Sequence, residues 1–271
     1  MKKIFSTYWA GYLDNSNITL DMVPDYIDIV ILAFIGPNSD SSVETRFLCS
    51  KYSAEEIKEW INLCHTKKIK VYISLLDTPS VHWDTINIPL YAKNINKFMN
   101  EWNIDGIDID AESGMNPNKY VSTFTYLIES LKKYNHFPIT YTCYEGTNSY
   151  DGQILDQIKD QIDYIQLMAY FDTYDGMVSL YNDYKKIMGD NIIIGVKAGK
   201  PEGTSLDEVS KLCLWNSKKR GMMLWTINRD LPFYTNKSVF TWANTINIEL
   251  NNVDFIDYKN VILSYLRSFI N

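Results

Sequence analysis

Short apolar or β-branched runs alternate along this chain with longer segments of helical periodicity. Eight runs read as strands: Ile4–Tyr8, Ile27–Phe34, Lys70–Leu75, Gly106–Asp110, Pro138–Thr142, Tyr164–Met168, Ile192–Val196 and Gly221–Trp225. Between them the pattern predicts helices over Ala54–Lys67, Leu90–Trp102, Lys119–Lys133, Val178–Met188 and Leu206–Lys219, with Tyr258–Phe269 closing the chain. Ser53, Asn118 and Ser205 stand where a helix N-cap is expected, and Gly189 and Gly221 follow two predicted helix ends. Strands alternating with helices of this length call for parallel pairing, and eight such units predict an α/β fold, a single (β/α)8 TIM barrel over residues 1–271. A doubly wound open sheet is the alternative, although its glycine fingerprint after the first strand is absent. The segment from Asn236 to Asp257 has no clear role, and packing is the expectation for its Phe240 and Trp242.

Composition narrows the classes. The chain has 271 residues, 46% hydrophobic and 22% charged, enough for a sizeable core. A net charge of −7 and scattered basic residues argue against nucleic acid as a partner. The longest basic runs, Lys67-Lys68 and Lys218-Lys219-Arg220, read as solvated helix ends. Cys49, Cys64, Cys143 and Cys213 form no CxxC pair and read as buried free thiols, and His65, His82 and His136 lack metal-ligand spacing. No run approaches a membrane span, and Met1-Lys2-Lys3 is not followed by a signal-peptide core. The expectation is a protein cytoplasmic as synthesised, with release by a non-classical route, lysis or an intracellular substrate all open.

The most informative stretch is Asp105-Gly106-Ile107-Asp108-Ile109-Asp110-Ala111-Glu112. With a side-chain period of two, Asp108, Asp110 and Glu112 share one strand face and the isoleucines the other. In a barrel this sends three carboxylates toward the axis. Like charges in close quarters cannot all ionise, so at least one proton is retained. Glu112 lies nearest the catalytic end of such a barrel, where a protonated carboxyl can serve as general acid. A calcium loop or an exposed acidic strand end are the other readings, although an EF-hand loop requires a glycine at its sixth position and isoleucines favour strand.

DGIDIDAE resembles the fourth-strand signature, DGxDxDxE, of glycoside hydrolase family 18, which includes chitinases, endo-β-N-acetylglucosaminidases and catalytically silent lectins. Tyr164–Tyr170 is similar to the family's sixth strand, where Met-x-Tyr places Met168 and Tyr170 in the site. Met222–Trp225 is similar to its eighth strand, whose tryptophan, here Trp225, floors the −1 sugar. Tyr8 and Phe34 fall where the family often has aromatics, and Ser74 matches the serine that contacts the innermost aspartate, here Asp108. The resemblance implies that Glu112 is the proton donor, that Asp110 orients the substrate's acetamido group, and that Asp108 shares a proton with Asp110. It implies that Tyr170 also holds the acetamido group, and that no metal or organic cofactor is needed. The implied partner is chitin or another GlcNAc-containing glycan, with no membrane partner and an open oligomeric state.

The sequence also departs from the family. Phe171 stands where Asp or Asn usually follows the sixth-strand tyrosine, with Asp172 one place later as a candidate substitute. Leu76 and Asp77 replace two glycines after Ser74. Ala111 and Ser113 replace frequent aromatics. About two dozen residues separate Val196 from Gly221, so the α+β insertion between strands seven and eight is absent, which leaves a more open groove; Lys197 is a candidate groove residue. The expected function is chitinase-like hydrolysis of β-1,4-linked N-acetylglucosamine. The alternatives are a silent glycan-binding barrel, an endo-β-N-acetylglucosaminidase acting on N-glycans, or an accessory subunit of a larger assembly.

Overall fold

The computed structural model describes residues 2–134 and 136–251. Eight strands form the barrel: β1 (Ile4–Trp9), β2 (Ile29–Pro37), β3 (Lys70–Leu75), β4 (Gly106–Asp110), β5 (Ile139–Cys143), β6 (Tyr164–Leu167), β7 (Ile192–Lys197) and β8 (Gly221–Trp225). Each pairs in parallel with the next. β8 pairs back onto β1, from Ile4↔Gly221 to Thr7↔Leu224, and this closure excludes the open sheet. A two-residue strand, Val43–Glu44, adds antiparallel to the end of β2 and carries that strand past Phe34.

The helices on the outside are α1 (Ala54–Thr66), α2 (Ile88–Trp102), α3 (Tyr120–Tyr134), α4 (Tyr150–Ile158), α5 (Tyr174–Met188), α6 (Leu206–Leu214) and the short α7 (Pro232–Thr235). Residues 241–251 are also helical. A single 3₁₀ turn, Leu20–Met22, interrupts the connection between β1 and β2. Ser53 and Ser205 each complete a capping box with a glutamate three residues on. β7 and β8 are joined by α6 alone, with no inserted domain.

The period-two pattern of the strands sorts two apolar clusters. Ile107 and Ile109 of β4 belong to the large one between barrel and helices. Tyr8, Ile31, Tyr72, Tyr164, Ile193 and Met223 belong to a smaller one inside the barrel. Two glycines make room for this interior. A Cβ on Gly106 would lie 2.6 Å from the Tyr72 ring, and one on Gly221 would lie 1.8 Å from the Ile4 carbonyl oxygen.

Three helices differ from expectation. α4 has no counterpart in the sequence reading, because Gly152 weakens its helical pattern. That glycine is required by packing, since a Cβ there would lie 1.8 Å from the Thr147 carbonyl oxygen. α5 starts a turn before Val178, capped by Thr173. α6 stops at Leu214 rather than at Lys219 because the Lys219 amine turns back. It donates to the carbonyls of Cys213 (3.2 Å) and Trp215 (3.0 Å). Lys219 is therefore buried, not solvated, and burial lowers its pKa to about 8. Of the segment from Asn236 to Asp257, the described part packs as expected: Trp242 is buried and its Nε1 donates to the Thr204 carbonyl at 2.8 Å, while residues 252–257 lie outside the described residues. The helix expected over Tyr258–Phe269 lies outside the described residues. Cys64, Cys143 and Cys213 are buried and Cys49 half-buried, all four as free thiols.

Candidate active site

β4 delivers its acids in a stack. Asp108 is deepest and fully buried, and both its oxygens are engaged. Tyr8 and Ser74 hydroxyls donate to Oδ2, each at 2.7 Å. Thr140 and Thr142 reach Oδ1 at 2.7 and 2.8 Å, and Gln166 Nε2 at 3.4 Å. The parallel register explains the threonines: Asp108 is level with Thr140, and Asp110 with Thr142. Ser74 is level with Asp108 on the other side. Among the described residues, no hydrogen bond joins Asp108 to Asp110 to carry the expected shared proton; the side-chain bonds of Asp108 go to neutral donors.

Asp110, one layer up, is buried, and its Oδ1 accepts the Glu112 backbone N–H at 3.0 Å. Burial pushes its carboxyl well above the usual range, and the nearby charge of Glu112 adds to the shift. Glu112 follows the end of the strand and stands exposed at the barrel mouth. The surrounding walls still remove enough water to raise its carboxyl above the usual range. A pair of neighbouring carboxyls, both raised, holds a proton in the pH range where an isolated carboxyl has lost it.

A cavity of about 320 Å³ opens over these two acids. Its walls include Tyr8, Phe34, Met168, Tyr170, Phe171, Lys197 and Trp225. Trp225 meets Tyr8 edge-on (5.2 Å between ring centroids) and stacks with Phe34 at 6.0 Å. Tyr170 is buried, and its phenol is raised well above its usual range by burial and by the charges of Asp110 and Glu112. Phe171 is 55% exposed and packs on Tyr170 with centroids 4.7 Å apart. The amine of Lys197 lies 5.8 Å from the Phe171 ring and 3.6 Å from Glu202. Burial lowers its pKa, and the positive charge of Arg229 lowers it further. The interior of the barrel mouth thus carries acids on β4 and a cation on β7.

Asp172 is not part of this wall. It is exposed, and its Oδ1 accepts the Thr173 N–H at 2.7 Å, at the start of α5. Tyr12, Phe47 and Leu76 do line the cavity, and sequence reasoning missed them. Tyr12 and Phe47 come from connecting segments outside the barrel strands, where no periodicity marks them. Thr140 and Thr142 had a readable signal, since they alternate on the same face of a predicted strand. A larger cavity of about 640 Å³ adjoins the first and shares Phe34, Phe47, Leu76 and Glu112 with it. It lacks Asp110, Tyr170 and Trp225, so the paired-acid chemistry belongs to the smaller one. Among the described residues, no group of three His, Cys, Asp or Glu side chains is arranged to hold a metal ion.

A further carboxylate steadies the wall beyond β5. Asp151 is buried; its Oδ1 accepts from the Tyr141 hydroxyl (2.8 Å), and its Oδ2 from Tyr144 N (3.2 Å) and Glu145 N (3.0 Å). Burial nevertheless raises it from 3.8 to about 6. A carboxyl raised by folding stabilises through its neutral form, so its contribution is whole below pH ~4 and is lost as pH rises through ~6. Asparagine keeps the neutral shape and has no such slope. Between pH 4 and pH 7 the wild type should lose up to about 3 kcal/mol relative to Asp151→Asn in urea unfolding. A difference that stays flat across this range would contradict the assignment.

Residues 5–204 match the family model described as the endo-β-N-acetylglucosaminidase EndoS TIM-barrel domain. The chain belongs to this family. This EndoS-type barrel shares its fold with solved chitinases, family GH18 members among them. A chitinase from Bacteroides thetaiotaomicron is similar over 92% of this chain and 97% of its own, with 15% identity and a TM-score of 0.74. The catalytic domain of a family GH18 chitinase from the fern Peteris ryukyuensis is similar over 92% of this chain and 99% of its own (20% identity, TM-score 0.73). A GH18 chitinase from Pseudoalteromonas aurantia covers 91% and 100% (16% identity, TM-score 0.71). At such identities these three likenesses speak for the fold alone. No curated protein matches the EndoS-type chain at a significant level. Among the described residues no helix is long and apolar enough to cross a membrane.

Proposed function

We propose that this barrel is a retaining glycosidase that hydrolyses β-1,4-linked N-acetylglucosamine polymers or oligosaccharides, and that residues 1–271 form one catalytic domain. One observation carries the reading. Two adjacent carboxyls, Asp110 and Glu112, both raised in pKa, meet at a cavity also walled by Trp225 and Tyr170. In this reading the apolar face of one sugar rests on Trp225, whose indole offers a flat apolar surface. Glu112 protonates the glycosidic oxygen. The substrate's own acetamido oxygen attacks the anomeric carbon, the substrate-assisted route by which this family departs from two-carboxylate hydrolysis. Asp110 accepts the acetamido N–H and stabilises the positive charge that develops, with Tyr170 beside it. Glu112, now a base, activates water, and the configuration is retained. Asp108 organises the hydroxyls of Tyr8, Ser74, Thr140 and Thr142 beneath this pair. The scheme uses no metal or organic cofactor.

The absence of an inserted domain between β7 and β8 leaves the groove open, which suits cleavage inside a chain or beside a branch. The family match favours a second form of the same reading, cleavage within the GlcNAc core of an N-glycan. Phe171 favours binding without turnover, because it leaves the acetamido site without the usual Asp or Asn. One set of assays separates them. The wild type should release fluorophore from chitobiose and chitotriose substrates, with the β-anomer appearing first by NMR. Release only from N-glycans would move the substrate to that class. Binding of all of them with no release would leave a lectin and end the enzymatic reading.

A further inference from the structure

Two of the sequence departures meet in space. Asp77 stands where the family resemblance expects a glycine, and Ser113, directly after Glu112, stands where it expects an aromatic. Ser113 Oγ donates to Asp77 Oδ2 at 2.5 Å, and Gly114 N–H donates to Asp77 Oδ1 at 3.4 Å. His82 Nδ1 lies 3.0 Å from the same Oδ2. The side chain of Asp77 is 4% exposed, so these contacts replace its water. The imidazole of His82 lies against Gly114, where an added Cβ would be 2.6 Å from its Cε1. From the other side, the Tyr120 hydroxyl donates to the Ser113 carbonyl. A backbone bridge between Thr78 and Val81 folds the segment so that Asp77 and His82 reach the same loop.

The trio is not a nucleophile arrangement. Ser113 donates to the carboxylate rather than to the imidazole, so no base is aligned to take its proton. What the trio holds is the backbone just beyond Glu112. Without an anchor, a residue past the end of a strand would carry the proton donor on a loose loop, and about 1 Å of misplacement is enough to slow catalysis about 100-fold. We propose that Asp77, seated by His82, is a positioning residue that fixes the loop over residues 112–115 and thereby aims Glu112 at the glycosidic oxygen. Asp77, His82, Ser113 and Glu112 all line the larger cavity, so the anchor forms the wall that a neighbouring sugar meets.

The inference rests on Glu112 being the proton donor, and its test separates the two. Asp77→Ala and Asp77→Asn are compared with wild type by amide hydrogen exchange over residues 112–116 and by kinetics on the substrate the wild type cleaves, after near-UV dichroism has established native folding. Asp77→Ala should raise exchange in that loop about tenfold or more and lower kcat at least tenfold, with KM within threefold. Asp77→Asn keeps an acceptor for Gly114 and should recover part of both. Ser113→Ala should resemble Asp77→Asn. Unchanged exchange, unchanged kcat, or a loss confined to KM would overturn the proposal. If the wild type turns over no glycan, the reading of Glu112 fails. The proposal then fails with it as an account of catalysis, while raised exchange in Asp77→Ala would still support Asp77 as the anchor of the loop.

Discussion

Glu112→Gln should lower kcat by a factor of about 10²–10⁴, the usual worth of a general acid, while KM stays within a few fold of wild type. That corresponds to about 3–5 kcal/mol of barrier. The reasons are local. Glutamine fills the same space at the barrel mouth and keeps the backbone N–H that Asp110 accepts at 3.0 Å, so the loop and the cavity should stand. It cannot give a proton to the leaving oxygen, nor take one from the water that completes the reaction. Both halves of the retaining scheme therefore fail together. Steady-state kinetics on fluorogenic chitooligosaccharides, with binding followed separately by calorimetry, gives the split between kcat and affinity. A variant that keeps more than a third of wild-type kcat would remove Glu112 from the chemistry, whatever the fold suggests.

Much of this site was legible in the sequence because strands encode their faces with period two. Asp108, Asp110 and Glu112 share a face in the string of residues, and the barrel puts Asp108 and Asp110 inside and Ile107 and Ile109 outside. The eight strands were readable for the same reason: Lys70–Leu75, Gly106–Asp110 and Gly221–Trp225 match at both ends, and the other five differ by at most three residues at an end. Phe34 ends the predicted second strand, yet the real one runs on to Pro37 because Val43–Glu44 pairs with it. Side-chain chemistry that acts over long sequence separations was not legible. Lys219 reads as one of three surface cations, and only the fold shows its amine turned onto two helix-end carbonyls. Asp172 has the right residue type one place late, but a 3₁₀ turn over Ala169–Phe171 carries it out to the start of α5. His82 has no metal-like spacing, and its partner Asp77 is visible in sequence only as a missing glycine. Their meeting with the loop after Glu112 depends on β3 and β4 lying side by side.

Asp110→Asn tests the electrostatic half of the site. Asparagine matches the aspartate in volume and can still accept the Glu112 N–H, so the substitution changes charge more than shape. In the wild type the two carboxyls repel each other as they ionise, which is why Asp110, already raised by burial, is raised further by Glu112. Whichever of the two gives up its proton first, the other must ionise against that charge, so the last proton of the site should leave at lower pH once residue 110 cannot be charged. The proton donor is then lost earlier, and the alkaline limb of the kcat/KM profile should move to lower pH. The rate at the optimum should also fall by about 10²–10³, the scale seen when one preorganised group aimed at developing charge is removed. Two effects cause this fall: an amide bears no charge to stabilise the positive centre, and with its oxygen held by Glu112 it turns an N–H donor toward the acetamido N–H. The pH profile distinguishes this from simple damage, since misfolding lowers the whole curve without moving its limbs. An alkaline limb that stays in place with kcat within threefold of wild type would mean that Asp110 neither tunes Glu112 nor touches the substrate. Its burial beneath the cavity would then need a purely structural account.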